Sequence, residues 1–278
     1  MKTNFDQERA WWNSKANREE QDTTDEAINR LLRWREIERH LQNVKTILAV
    51  GAATGAFSIP LARRGFEVTH VDIAANMLEV ARQKAVGISN IHFVEANAAN
   101  LSHFADRSFD LVLNMDGAIS FCGSEAITSI AESCRVTGQK LIITVSHRAW
   151  IFPLWVAASL EELNHFSQAV YAMLDPGEWF YEQFPENAQL SKNYLGSIKA
   201  FLPKEVCRSL ENNGLKVLRC GGLGSLANLC GQEAVDRVLN DNALLDEFLN
   251  LCERFDQEIL PDGPGTKQRA GLIAVAER

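Results

Sequence analysis

The feature that most constrains the fold is the stretch of residues 46–72, in which two apolar runs flank a glycine-bearing turn and a short helical pattern. The run 47–50 is typical of a buried strand, and Gly51 and Gly55 mark the turn that follows it. After the helical pattern, a second strand-like run ends at Asp72. This order predicts a strand, a turn, a helix and a second strand, which is the unit of a parallel α/β sheet.

The acid at the end of the second predicted strand suits a nucleoside ligand. In open α/β sheets, ligands bind at the carboxyl ends of the strands, where the N–H groups of a helix start point into a crevice. Asp72 lies about 20 residues after the first glycine, which is the spacing at which a carboxylate accepts hydrogen bonds from ribose hydroxyls. We therefore expect a cofactor that contains adenosine.

The composition of the turn distinguishes between two such cofactors. Dinucleotide sites use a middle glycine so that the backbone can approach a pyrophosphate, and residues 51–55 (GAATG) lack it. NAD is therefore disfavoured. S-adenosylmethionine (SAM) carries no phosphate and does not need that glycine.

Further segments carry a resemblance to a known family. Residues 72–78 (DIAANML), 93–98 (FVEANA) and 108–114 (SFDLVLN), together with the glycine turn, resemble in order the motifs of class I SAM-dependent methyltransferases. The resemblance covers roughly residues 46–147. It implies an α/β fold with a Rossmann-like, seven-stranded, mostly parallel sheet that has helices on both faces and a last strand antiparallel to the sixth.

The resemblance also implies which residues hold SAM. Asp72 would accept the ribose hydroxyls, Asn97 would bind the adenine amino group, and Asn114 would lie near the methionine part. The predicted cofactor-binding set is Gly51, Ala53, Gly55, Asp72, Ile73, Met77, Asn97, Ala98 and Asn114.

Two alanines depart from the family's pattern. Many members have Asp or Glu at the position of Ala49, where the carboxylate helps to hold the amino group of the cofactor. Ala53 replaces a glycine that usually lies against the ligand, and its methyl group is tolerable there if φ stays negative. These departures keep two alternatives open. One is a SAM-consuming cyclisation, lyase or alkyl transfer that gives methylthioadenosine, and the other is a degenerate subunit that acts through a partner.

The segments outside the motifs provide two candidate covers for the site. Residues 1–45 are expected to form an N-terminal helical lid, which includes an amphipathic helix over 25–42. Residues 46–278 are expected to form the SAM-binding domain, and the aromatic-rich segment 148–200 is predicted to be an inserted helical lid above the substrate. Strands are predicted near residues 46–51, 67–72, 91–96, 109–115, 139–147, 215–220 and 270–276.

Methyl transfer from a sulfonium depends mainly on proximity and alignment, so no catalytic triad is required. His147 follows the fifth predicted strand and could act as a base, or it could be a strand-end histidine in solvent. Tyr171 is a candidate for stabilising the sulfonium by cation–π attraction, and Trp179 is a candidate for contacting the substrate in the same way. Core or lid packing is the alternative for both aromatic side chains.

Charged residues near the expected crevice are candidates for binding the acceptor. Arg33 and Arg148 could bind a substrate carboxylate, or they could form ordinary ion pairs. Asp116 is a further substrate candidate, in a run 114–117 (NMDG) that lacks the motif of enzymes that methylate planar exocyclic nitrogens.

Composition narrows the functional class. The 278 residues are 46% hydrophobic and 23% charged, as in ordinary globular proteins, and a net charge of −8 disfavours nucleic acid as a partner. No apolar run approaches the ~20 residues needed to cross a bilayer, and the first residues lack the apolar core of a secretory signal. The cysteines and histidines have no metal-ligand spacing. We expect a cytoplasmic enzyme that acts on a small molecule without a metal, and the sequence permits a homodimer.

Overall fold

A seven-stranded sheet forms the centre of the computed structural model, which describes residues 2–19, 24–115, 117–180, 196–265 and 270–278. In chain order, the strands of the sheet are β1 (Thr46–Val50), β2 (Glu67–Asp72), β3 (Ile91–Glu95), β4 (Phe109–Asn114), β5 (Thr137–Val145), β8 (Lys216–Gly222) and β9 (Leu272–Glu277). The strand order is β3-β2-β1-β4-β5-β9-β8. Strands β1 to β5 are mutually parallel, and β9 is antiparallel to both β5 and β8. The predicted Rossmann-like sheet and its antiparallel last strand are therefore confirmed.

Helices connect the strands and cover both faces of the sheet. In chain order they are α1 (Phe5–Lys15), α2 (Thr24–Arg39), α3 (Ser58–Arg63), α4 (Ala75–Lys84), α5 (Ala118–Phe121), α6 (Ala126–Val136), α7 (Arg148–Leu163), α8 (Gln168–Leu174), α9 (Pro203–Asn212), α10 (Ser225–Cys230), α11 (Gln232–Leu239) and α12 (Asn242–Arg254). A π-helical turn, Phe255–Ile259, follows α12. Within the described ranges, none of these helices has the length and apolar character that a bilayer crossing requires.

The side chains of each strand alternate between two apolar layers, because successive residues of a strand point to opposite faces. Ile47 and Leu113 belong to the layer that contains residues of α2, α3 and α10–α12. Leu48 and Val112 belong to the opposite layer, with residues of α5, α6 and α9. Burial on both faces explains why the β1 run is apolar at every position from 47 to 50.

The two helices of the predicted N-terminal lid have different surroundings. Helix α2 is part of the body of the domain, since Ile28 and Ile37 are fully buried in the first layer. It is also tied to the C-terminal part of the chain, where Arg39 donates to Glu253 across 2.7 Å. Helix α1 lies elsewhere and is described with the site below.

The inserted segment after β5 has its own small core. Helices α7 and α8 and the ribbon of β6 (Glu178–Trp179) and β7 (Ile198–Lys199) surround it. At its centre, the rings of Trp155 and Trp179 meet edge to face with centroids 5.6 Å apart. The predicted insertion 148–200 is thus described for residues 148–180 and 196–200, and its remainder lies outside the described residues.

Candidate active site

A cleft opens at the carboxyl ends of β1 and β4, where the order of the parallel strands reverses. Such a switch point is where open α/β sheets bind their ligands. The empty space in the cleft is about 610 Å³, including the part that is open to solvent. Seven of the predicted cofactor residues line it, namely Gly51, Ala53, Asp72, Ile73, Met77, Asn97 and Ala98.

The carboxylate of Asp72 links the end of β2 to the glycine turn. Its Oδ2 accepts a hydrogen bond from the Ala53 N–H at 2.9 Å, and its Oδ1 accepts one from the Ala74 N–H at 2.8 Å. Burial raises the pKa of Asp72 to about 6, and the charge of Glu19 adds to this, while the backbone N–H groups oppose it. The group is therefore mostly ionised at neutral pH and aimed at the cleft.

Gly51 sits where the turn approaches the start of α5 most closely. Its φ is +61°, and a Cβ added there would lie 2.3 Å from the Cβ of Ala118. Glycine is required at this position for two reasons, the left-handed backbone and the close approach.

Ala53 also has a left-handed backbone, with φ of +46°, whereas its methyl group was expected to be tolerated at a negative φ. The reason is tertiary, because both peptide groups of Ala53 are held. Its N–H donates to Asp72, and its carbonyl oxygen lies 3.1 Å from Nε2 of His70 on β2.

The loop after β3 forms the next wall of the cleft. Oδ1 of Asn97 accepts a hydrogen bond from the Ala99 N–H at 2.9 Å. Sγ of Cys122 lies 4.0 Å from the same oxygen and can donate to it weakly. Apolar atoms of Ile73, Met77 and Ala98 surround this region.

Helix α1 lies across the opening of the cleft. At its start, the Thr3 N–H donates to Oγ of Ser124 at 3.0 Å, and near its end Oδ1 of Asn13 accepts from the Asn76 N–H at 2.9 Å. The helix thus joins the segment after α5 to the start of α4.

The inner face of α1 contributes Phe5, Glu8 and Trp12 to the lining, where the Trp12 ring meets that of Phe121 edge to face at 4.9 Å. Glu8 is buried and accepts from the Ser197 N–H at 2.6 Å. No sequence motif identifies Phe5, Glu8 or Trp12 as part of the site. The one signal was the pair of adjacent tryptophans among polar neighbours.

Comparison with known proteins agrees with this geometry. Residues 47–139 match the family described as a methyltransferase domain. Over these residues the chain carries a methyltransferase domain.

Curated relatives extend the comparison. A demethylmenaquinone methyltransferase of Paenarthrobacter aurescens is 33% identical over 132 residues, which cover 44% of this chain and 48% of that protein. The chain spans only 28, 31 and 48% of the length of three curated relatives that it matches.

Solved structures resemble the chain over more of its length. A SAM-dependent methyltransferase from Mesorhizobium loti has a TM-score of 0.57 at 15% identity, covering 89% of this chain and 98% of that one. The [4+2]-cyclase SpnF has a TM-score of 0.50 at 17% identity, covering 90% and 80%. At these identities the likeness shows the fold alone.

Two predicted cofactor residues of the methyltransferase domain lie outside the lining of the cleft. The side chain of Asn114 is fully buried, and its Nδ2 donates to Oγ of Ser133 on α6 at 2.9 Å. Gly55 has φ of +94° and closes the turn by donating its N–H to the Ala52 carbonyl at 2.9 Å. Both residues shape the fold around the site.

The predicted catalytic side chains are also placed away from the lining. His147 begins α7, and its Nδ1 accepts a hydrogen bond from the Ala149 N–H at 3.1 Å. Burial lowers the pKa of His147 to about 4, although the nearby Asp262 opposes this shift. Tyr171 lies on α8 with 55% of its surface exposed.

The predicted substrate residues have structural partners instead. Arg148 is paired with Glu205 at 2.8 Å and also donates to the carbonyl of Pro176 at 2.7 Å. Trp179 is buried in the core of the insertion, and the Arg33 guanidinium lies 4.9 Å from the centroid of the Phe57 ring. Neither Arg148, Trp179 nor Arg33 lines the cleft, and Asp116 lies outside the described residues.

A metal site was not predicted. In the described part of the chain, no group of three or more His, Cys, Asp or Glu side chains is arranged to hold a metal ion.

Proposed function

We propose that this protein transfers a methyl group from SAM to a small-molecule acceptor. The observation that carries the proposal is the buried Asp72 carboxylate, which lies on the strand next to the switch point of the sheet and faces a cleft with mostly apolar walls. A carboxylate beside apolar surface is the combination that a nucleoside needs, since its sugar is polar and its base has apolar faces.

The residues that are present fit the adenosine half of SAM. Asp72 is placed to accept hydrogen bonds from the ribose hydroxyls, and Ile73 and Met77 offer apolar atoms to the faces of the adenine. Because Gly51 has no side chain, its backbone is accessible to a ligand that lies against the turn. When bound, SAM supplies a methyl group on a positively charged sulfur.

The chain's own contribution to the reaction is then alignment and the exclusion of water. Phe5, Trp12 and Phe121 give the cleft an aromatic wall, which excludes water and attracts a cation to its faces. Holding the donor and the acceptor in line is the main requirement of such a displacement. The reaction therefore depends on the shape of the cleft more than on a side chain that transfers a proton.

A small-molecule acceptor is supported by the dimensions and charge of the protein. The cleft is a partly enclosed space of about 610 Å³, including the part that is open to solvent, and α1 crosses its open side, which suits a small acceptor better than a macromolecule. The net charge of −8 also disfavours nucleic acid. The demethylmenaquinone methyltransferases among the relatives are named for small-molecule acceptors.

One observation favours a second candidate, in which SAM is used without methyl transfer. Ala49 lines a small recess behind the glycine turn, together with Leu113 and Met115, and its empty space is about 230 Å³ including the part that is open to solvent. In this position an acid would help to hold the amino group of the cofactor, and its absence loosens the constraint on the methionine tail. The likeness in fold to a [4+2]-cyclase is consistent with chemistry other than methylation on this scaffold.

Calorimetry followed by product analysis tests both candidates. We expect the purified protein to bind SAM, and incubation with SAM and a panel of small-molecule acceptors to release S-adenosylhomocysteine with a methylated acceptor. Methylthioadenosine as the product would favour the second candidate. Failure to bind SAM would leave only a non-enzymatic role.

A further inference from the structure

The site contains a buried histidine that the motifs of the sequence did not explain. His70 lies on β2, two residues before Asp72, and both its side chain and that of Ser58 are fully buried. Its Nδ1 lies 2.7 Å from Oγ of Ser58, and its Nε2 lies 3.1 Å from the carbonyl oxygen of Ala53. His70 therefore connects α3 to the turn that faces the cleft.

The partners of His70 define its protonation. A carbonyl oxygen can only accept, so Nε2 carries the proton and donates to Ala53, while Nδ1 accepts from the Ser58 hydroxyl. Burial lowers the pKa of His70 to about 4, and the charges of Arg82 and Lys84 on α4 lower it further. The ring of Phe93 packs against it at 5.0 Å. The imidazole is thus neutral, with one defined tautomer, at physiological pH.

The residue that His70 holds is in an unfavourable conformation. For a residue with a Cβ, a left-handed backbone is sterically disfavoured relative to the right-handed one. Ala53 adopts it, with φ of +46°. Two hydrogen bonds oppose that cost, one from its N–H to Asp72 and one from His70 to its carbonyl oxygen.

We infer that His70 is a positioning residue for the cofactor: by binding the Ala53 carbonyl, it holds the left-handed turn in which the Ala53 N–H meets and orients the Asp72 carboxylate. This inference rests on the proposed function, because the carboxylate matters only if a ribose docks on it. His70 does not touch the ligand in this arrangement and acts through Ala53. A histidine that merely filled the core would have no effect on affinity beyond its effect on stability.

The test is a rescue experiment in calorimetry with SAM. His70→Phe keeps a ring of similar size but removes the donor to Ala53, so we expect affinity to fall about ten-fold or more, in keeping with the loss of a buried hydrogen bond. The affinity of Ala53→Gly alone is measured as the reference for the double variant, because glycine adopts a positive φ without strain. In the double variant, Ala53→Gly should restore most of the lost affinity.

A matched control separates the specific rescue from general stabilisation. Arg107 also has a left-handed backbone, with φ of +55°. It lies just before β4, at the amino ends of the strands and so at the end of the sheet opposite the cleft. Arg107→Gly should not restore SAM affinity to the His70→Phe variant. A rescue by Arg107→Gly equal to that by Ala53→Gly would overturn the inference.

A milder variant covers the case in which His70→Phe does not fold. Ser58→Ala removes the hydroxyl that selects the tautomer of His70, and we expect a smaller loss of affinity that Ala53→Gly again restores. Unchanged affinity in a folded His70→Phe or Ser58→Ala variant would overturn this inference alone. Absence of SAM binding by the unaltered protein would instead remove the proposed function, and this inference with it.

Discussion

The N–H of Ala53 and the carboxylate of Asp72 are joined by a 2.9 Å hydrogen bond that connects the glycine turn to the end of β2. The bond uses one lone pair of Asp72 Oδ2, and the side chain still lines the cleft. The acid thereby stabilises the turn and remains available to a ligand.

Removing this carboxylate should weaken the binding of SAM. Hydrogen bonds to charged groups contribute about 1–3 kcal/mol, so Asp72→Ala should lower the affinity ~5- to 150-fold in calorimetry. The matched control is Asp110→Ala, because Asp110 also accepts two backbone N–H groups, those of Lys45 and Thr46, but at the amino ends of the strands. That variant should lose stability and keep its affinity for SAM. Equal affinity in the Asp72 variant and the unaltered protein would remove Asp72 from the site.

The pKa of Asp72 predicts a pH dependence of cofactor binding. Because the ionised form accepts the ribose hydroxyls and its pKa is about 6, SAM affinity should fall about ten-fold between pH 7 and pH 5. The Asp72→Asn variant, whose side chain does not titrate, should bind with an affinity that changes little over this range. A wild-type affinity independent of pH would contradict the raised pKa.

The same pKa predicts how the stability of the ligand-free protein changes. The folded-state value of about 6 is above the ordinary value of 3.8, so the folded state holds the proton more tightly. The contribution of Asp72 to the free energy of unfolding is therefore present below pH 3.8 and is lost as the pH rises through 6. Chemical denaturation of the unaltered protein and Asp72→Asn at pH 5 and pH 7 should show this loss in the unaltered protein only.

A side chain at Gly51 should disrupt the site more than one at another left-handed glycine. Gly65 has φ of +94° and no atom within 4 Å of an added Cβ, whereas at Gly51 the added atom would meet Ala118. Gly65→Ala should cost only the backbone penalty of roughly 1–2 kcal/mol. Gly51→Ala should add an overpacking penalty of about 1–3 kcal/mol and weaken SAM binding. Similar SAM affinities for the two folded variants would show that the turn has no close approach to a ligand.

Loss of Trp12 from α1 should let SAM leave the cleft faster. Its edge-to-face contact with Phe121 is of a kind that contributes about 0.5–1.5 kcal/mol, so Trp12→Ala should raise the dissociation rate ~2- to 12-fold in stopped-flow measurements. The control is Trp34→Ala on α2, which removes a comparable contact with Phe57 outside the main cleft. Identical dissociation rates for the two variants would mean that α1 does not restrain the ligand.

Arg148 should prove to be a structural residue of the insertion. Replacing it by Ala removes the donor to the Ala200 carbonyl and one of the donors to the Pro176 carbonyl and to the Glu205 carboxylate. The variant should lower the free energy of unfolding by about 1–3 kcal/mol. Arg254→Ala, which breaks the exposed pair with Glu258, should have no measurable effect. An Arg148→Ala variant of unchanged thermal stability but with a raised KM for the acceptor would restore the substrate-binding hypothesis.

Several features followed directly from local sequence. The apolar run of β1 and the glycine after it determine where the first strand ends, because a buried parallel strand is apolar on both faces and a left-handed turn needs glycine. The strand-like run 67–72 ends at Asp72, so its pattern places an acid at the carboxyl end of β2. The lining residues Gly51, Ile73 and Asn97 were predictable because each lies within two residues of the end of a strand whose pattern is strong.

Other features depended on contacts between distant parts of the chain. Helix α1 has only a weak apolar stripe, and its place over the cleft is determined by Thr3 bound to Ser124 and Asn13 bound to Asn76. The partners of Arg148 are likewise more than twenty residues away, on Pro176 and Glu205. No local pattern encodes such pairs, so charge and position alone suggested a ligand-binding role for Arg148.

By itself, the sequence determined the alternation of strands and helices and the acid at the end of β2, since these depend on periodicity, glycine and strand ends. The tertiary structure alone decided the backbone of Ala53 and the closure of the cleft. An alanine adopts a left-handed φ only where surrounding groups outweigh the steric penalty of its Cβ, and here those groups are the side chains of Asp72 and His70, which lie on a neighbouring strand.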